Sequence, residues 1–302
     1  MEDMITGLCP QCGHMLHIPA ELASFSCMYC GARLTKEQLA AEPPAAQEAD
    51  EDRAAYYDRA VSRLGWCIKN FGGYQKKIMR DVFFEAFETY ETGCAPVIQE
   101  LARGVAPEQQ TQLLGRAAAA MLDELEAGWQ KKGDMEDEKI VLAIFFVPMV
   151  RKQQLPISEE FVTILQKQWV ERYPKSPFYL GDYESISGGF RKKFLGLCFI
   201  TTAVCQELGK PDDCEELTAF RAFRDGYLRS QPDGEALIRE YYNIAPGIVT
   251  CINTCSDRHA SYARIREEYL APCYQDLLAG RNESCKARYV RMVRDLEREY
   301  LS

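Results

Sequence analysis

Apolar residues recur at helical spacing along most of this chain. Over residues 54–70 they fall at Tyr57, Val61, Leu64 and Ile68, one stripe on a helix face. Gly72 and Gly73 break the pattern, and Ile78, Val82, Phe83, Ala86, Phe87 and Tyr90 form the next stripe. Pro107 opens an alanine-rich helix through Leu114, Ala117, Met121, Leu122 and Leu125. Asp134 is placed to cap the following helix, with Asp137 at its third position. Residues 140–150 are apolar nearly all round, which predicts a helix at the centre of the core. Ser158 begins another helix, carrying Phe161, Ile164, Leu165 and Trp169.

Pro174, Pro177, Gly181, Gly188 and Gly189 then mark a looser stretch, with a boundary expected near residue 176. Beyond it, Asp212 is placed to cap a helix that runs through Leu217, Phe220, Phe223 and Tyr227. Residues 236–243 read as helix, and Pro246 as the start of another. The last helix has Tyr289, Met292, Val293, Leu296 and Tyr300 on one face and Arg288, Arg291, Arg294 and Arg298 on another. Asp295, Glu297 and Glu299 interleave with the arginines, so a solvated face is expected there, with an acidic partner as the alternative. No alternating run long enough for a strand occurs outside the amino-terminal segment.

That segment reads Cys9-Pro10-Gln11-Cys12-Gly13 and, with fourteen residues between Cys12 and Cys27, Cys27-Met28-Tyr29-Cys30-Gly31. Each Cys-x-x-Cys pair places two sulfurs within reach of one ion, and the glycine that follows lets the chain turn tightly. The spacing predicts a zinc ribbon of short hairpins in which Cys9, Cys12, Cys27 and Cys30 hold one structural Zn²⁺. Four protein ligands fill a tetrahedral ion, so no position remains for a substrate. His14 and His17 lie between the pairs and are expected to be loop or surface residues. Residues 35–52 are rich in Pro, Ala and acid and read as a linker. The expected organisation is a ribbon over residues 1–34, a linker over 35–52, and helical regions over 53–175 and 176–302. The fold class is mostly α.

Composition narrows the function. The 302 residues are 47% hydrophobic and 27% charged, normal for a packed protein, and the net charge is −9. That balance argues against binding a phosphate backbone. The amino terminus has Glu2 and Asp3 where an export signal would be basic, and the longest apolar run, interrupted by Pro148, is about half the length a membrane helix needs. A cytoplasmic protein with no membrane association is expected. Nine of the 13 cysteines lie outside the ribbon, scattered along the chain, and read as small core residues.

One stretch is more specific. Residues 198–205 read Cys-Phe-Ile-Thr-Thr-Ala-Val-Cys; then come Phe220-Arg221-Ala222-Phe223-Arg224-Asp225 and Tyr241-Tyr242-Asn243-Ile244-Ala245-Pro246. This combination resembles the CFI-box region of bacterial proteins, over about residues 195–254. The resemblance implies shared architecture and a bacterial source, and no particular reaction. Physically, Thr201 and Thr202 can bond back into their helix, Arg221 and Asp225 are spaced to pair, and Arg224 lies among rings it can stack on. Thr201, Thr202, Arg221, Arg224 and Asp225 would then make a polar clamp between helices, or an anion pocket.

Three functions follow as expectations. The preferred one is a binding or adaptor module whose ribbon recognises another protein. The second is thiol chemistry at Cys198, with His259, the one histidine outside the ribbon, as its base. The third is a second metal site from Cys251 and Cys255 on one helix with Cys198 and Cys205. No phosphate-binding loop, dinucleotide turn or Gly-x-Ser-x-Gly elbow is present.

Overall fold

The computed structural model describes residues 4–11, 15–39, 50–191 and 198–302. Cys12, His14 and most of the expected linker, residues 40–49, lie outside the described residues. The chain divides into two compact units, Met1–Ala54 and Ala55–Ser302.

The first unit is built from two antiparallel hairpins. Strand β1 (Met4–Leu8) pairs with β2 (Met15–Pro19), with Ile5 opposite Ile18 and Leu8 opposite Met15. Strand β3 (Ser24–Ser26) pairs with β4 (Arg33–Thr35), with Phe25 opposite Leu34. Cys9 follows the last residue of β1, and the second Cys-x-x-Cys segment, Cys27 to Cys30, sits in the turn between β3 and β4. The core is small: Cys9, Leu16, Cys27 and Leu34 are buried, with Phe25, Ala32 and Leu39 packed against them. Leu39 carries the ribbon one turn past its expected end at residue 34.

Among the described residues, the regular elements of the second unit are all helical. Helix α1 (Asp50–Leu64) starts earlier than its apolar stripe. It is followed by α2 (Trp66–Lys69), α3 (Phe83–Gly104), α4 (Gln110–Gly128), α5 (Lys132–Val141), α6 (Val147–Lys152), α7 (Ser158–Arg172) and α8 (Tyr183–Arg191). Then come α9 (Phe199–Glu207), α10 (Glu215–Ala222), α11 (Gly234–Cys255), α12 (Arg258–Ile265), α13 (Ala271–Leu278) and α14 (Asn282–Tyr300). No helix among the described residues is long and apolar enough to cross a membrane.

The all-round apolar run takes the central place its pattern demands. Every residue from Ile140 to Val150 is buried. Phe145 lies within ring contact of Tyr74, Phe83, Phe87 and Tyr90 at centroid separations of 5.2, 5.7, 6.1 and 5.6 Å. Pro148 does not interrupt the helix. A π turn over Leu142–Phe146 precedes it, and the same arrangement recurs at Arg266–Leu270 before Pro272. A π turn opens the backbone ladder where the proline ring would otherwise meet a carbonyl.

Two expected boundaries take a different form. Residue 176 lies inside the second unit, whose core draws on both sides of it. The looser stretch is pinned at several points: Trp169 Nε1 donates to the Ser176 carbonyl at 2.7 Å, Gln166 Nε2 to the Phe178 carbonyl at 2.9 Å, and the Tyr179 amide to the Thr254 carbonyl at 2.7 Å. Buried Lys139 adds a charged clasp, with Nζ 2.8 Å from Ser176 Oγ and 2.5 Å from Glu136. Pro246, expected to start a helix, lies within α11. Burial of Ile244, Ala245, Gly247 and Ile248 around it outweighs one missing amide. Next to it, a Cβ on Gly247 would sit 1.8 Å from the Ile78 carbonyl oxygen, so only glycine lets the two backbones meet here.

The capping residues also differ. Asp134 is the third residue of α5, and its carboxylate accepts the Gln130 and Lys131 amides at 2.9 and 3.1 Å. Cys214, not Asp212, precedes the first turn of α10. The arginine face of α14 is matched by acids: Arg288 pairs with Asp276, Arg291 and Arg298 with Asp295, and Arg294 with Glu240 and Glu297.

Candidate metal centre and the carboxyl-terminal polar cluster

The ribbon brings three of its four expected ligands together. The sulfurs of Cys9, Cys27 and Cys30 all lie within 4.8 Å of one another, and Cys9 and Cys30 are 3.7 Å apart. A tetrahedral zinc with Zn–S bonds near 2.3 Å would hold its sulfurs about 3.8 Å apart. The donor set therefore fits a thiolate-bound ion, with Cys12 as the fourth ligand implied by the sequence. Among the described residues this is the only group of three or more His, Cys, Asp or Glu side chains gathered closely enough for a metal.

Local backbone chemistry makes the second turn. The Gly31 amide donates to the Cys27 carbonyl and the Cys27 amide to the Ala32 carbonyl, both at 2.8 Å. Gly31 has φ of +74°, the left-handed conformation that favours glycine. The turn lifts Met28 and Tyr29 outward between the two cysteines, 82% and 57% exposed. Sequence reading placed the ligands but not this apolar tip. His17 is an exposed residue of β2 opposite Thr6.

In the second unit the three motif segments converge. Cys198 precedes α9 and is buried, and Arg224 Nη1 donates to its sulfur at 3.6 Å and to Tyr242 Oη at 2.9 Å. The Ile200 amide donates to Tyr241 Oη at 3.0 Å. Tyr289 of α14 joins them, 3.2 Å from Thr201 Oγ1 and donating to Tyr241 Oη at 3.4 Å. The Thr202 amide donates to the Cys198 carbonyl at 2.6 Å. A small apolar cavity of about 60 Å³ lies beside this network, lined by Phe220, Phe223, Ile238 and Val293 among others.

The expected pairing of Arg221 with Asp225 does not form. Arg221 turns to Asp212, donating to its carbonyl and its carboxylate, each at 2.7 Å. Asp225 takes two bonds from Arg224, at 2.8 and 2.6 Å, and sits 3.7 Å from Arg229. The cause is a π turn over Phe223–Tyr227, which breaks the one-turn stacking of residues four apart. It also lets Phe223 and Tyr227 stack on each other at 5.6 Å. Their aspartate holds the Arg224 guanidinium firmly charged and is itself held below the usual carboxylate range by it. Of the five expected residues, Arg224 and Thr201 reach across to other segments, Arg221 and Asp225 bond locally, and Thr202 Oγ1 makes no hydrogen bond among the described residues.

Thiol chemistry at Cys198 finds little support in this geometry. Burial pushes its thiol up, although Arg224 and Arg221 pull the other way. A catalytic thiol, which must turn over quickly, needs the opposite shift. His259 is 80% exposed and faces Glu207 at 3.4 Å, and no hydrogen bond joins it to Cys198 among the described residues. The four cysteines considered for a second metal site also part company. Cys205 lies 3.9 Å from Cys214, and Cys251 donates to the Tyr300 carbonyl.

The body's cysteines are paired in space to a degree the sequence did not show. Cys94 Sγ donates to the Cys67 carbonyl at 4.0 Å and Cys273 Sγ to the Cys285 carbonyl at 3.9 Å, and in each pair the neighbouring thiol, together with burial, pushes Cys67 and Cys273 up. Comparison with protein-family models, with curated proteins and with solved structures finds no match to the chain.

Proposed function

We propose that the protein is a zinc-stabilised binding module whose ribbon recognises another protein. The carrying observation is the second hairpin turn. It sets two exposed apolar side chains, Met28 and Tyr29, between two cysteines that converge with a third. Exposed apolar side chains on a rigid support are what a protein partner buries. Zinc bound by Cys9, Cys12, Cys27 and Cys30 would supply that rigidity and leave no open position for catalysis. The acidic overall balance favours a protein partner over nucleic acid. A cytoplasmic setting suits the reading, because the ligands must be reduced thiols. Membership of the bacterial CFI-box family is part of the proposal, supported by the meeting of the Cys198, Arg224 and Tyr241–Tyr242 segments.

The test uses the full zinc-loaded chain as bait beside the double variant M28S/Y29S. A partner held by the parent and lost from the variant, with one zinc per chain in both, is the expected result. Equal capture by both would overturn the assignment of the tip.

A further inference from the structure

We propose that Cys205 and Cys214 form a dithiol that a small-molecule disulfide oxidises to an internal disulfide, tying the end of α9 to the start of α10. Their sulfurs are 3.9 Å apart, in van der Waals contact. A disulfide is about 2.05 Å long, so side-chain rotation and a small shift would close it.

The chain between them is shaped for this approach. Gly209, with φ of +68°, ends α9 by a tight reversal in which its amide donates to the Gln206 carbonyl at 3.0 Å and the Lys210 amide to the Cys205 carbonyl at 2.9 Å. Pro211 follows, and the Cys214 amide donates to its carbonyl at 3.1 Å. An ion pair between Lys210 and Glu216 holds the far side of the loop. Cys214 is brought back onto the last turn of the helix that carries Cys205.

Access singles this pair out. Cys214 is half-buried, whereas Cys67, Cys94, Cys273 and Cys285 are all fully buried. A small disulfide such as oxidised glutathione reaches Cys214 first. The Cys214 thiol loses its proton, its sulfur attacks, and one glutathione thiolate leaves and takes up a proton. The Cys205 thiol then loses its proton, attacks the Cys214 sulfur and expels the second glutathione. Two protein thiols are oxidised and one disulfide is reduced to two thiols. Burial pushes the Cys205 thiol up to about 12, so the closing step is the slow one.

The experiment treats the full zinc-loaded chain with oxidised glutathione, alkylates under denaturing conditions, and digests with a protease that cuts after glutamate. Cleavage after Glu207 separates the fragment bearing Cys198 and Cys205 from the one bearing Cys214. The expected result is a disulfide between these fragments, loss of the alkyl adducts on Cys205 and Cys214, and an alkylated Cys198. The variant C214S should leave Cys205 fully alkylated; should it fold poorly, the map of the parent chain still decides. Cys214 found alkylated, Cys214 found joined to glutathione beside an alkylated Cys205, or a link to Cys198 would each overturn the proposal.

Discussion

The two units of this protein reach order by opposite means. The ribbon buries few apolar residues, two of them cysteines that also serve as expected metal ligands. The helical body buries a continuous core built around residues 140–150. The first has too small a core to gain much from burial, and a metal held by its cysteines would supply what the core lacks. The second needs no such aid, because its apolar stripes meet one another. Size of core, and not the strength of any one contact, decides which strategy a segment must adopt.

Removing zinc should separate the units most strongly. Structural zinc contributes on the order of 10–16 kcal/mol in isolated ribbons, so a chelator should unfold residues 4–39 and leave the body's thermal transition in place. Proteolysis confined to the ribbon, read by mass spectrometry, checks this. A simultaneous loss of helical circular dichroism would break the comparison. The reciprocal change is Phe145→Ala. It should cost the body about 3–5 kcal/mol and lower its Tm by on the order of 10 °C, with zinc content unchanged.

A smaller effect probes a helix end in the body. Asp257 Oδ1 accepts the Ala260 amide at 3.1 Å at the start of α12. Asp257→Ala should cost about 1 kcal/mol, seen in denaturant unfolding, again without loss of zinc.

Much of this was legible in the sequence for physical reasons. Helical stripes are local, so α3, α4, α7 and α14 could be read from spacing alone. The Cys-x-x-Cys pairs are local too, and the structure gathers Cys9, Cys27 and Cys30 as their spacing implies. What escaped depends on contacts between distant segments. Nothing near Pro246 announces that its neighbours will be buried deeply enough to carry a helix through it. The π turn at Phe223–Tyr227 re-aims Arg221 and Asp225, and a spacing rule for regular helices cannot foresee it. The contacts of Cys67 with Cys94 and of Cys273 with Cys285 arise from helix packing. The exposed tip at Met28 and Tyr29 shows only once the turn around Gly31 is built.

The most direct measurement is zinc per chain on reduced, purified protein, beside the variant with Cys9 and Cys27 changed to Ser. The account predicts one zinc in the parent, none in the variant, and an unchanged thermal transition of the body in both. A parent without zinc, or a variant that keeps it, would contradict the claim that these cysteines build a structural metal centre.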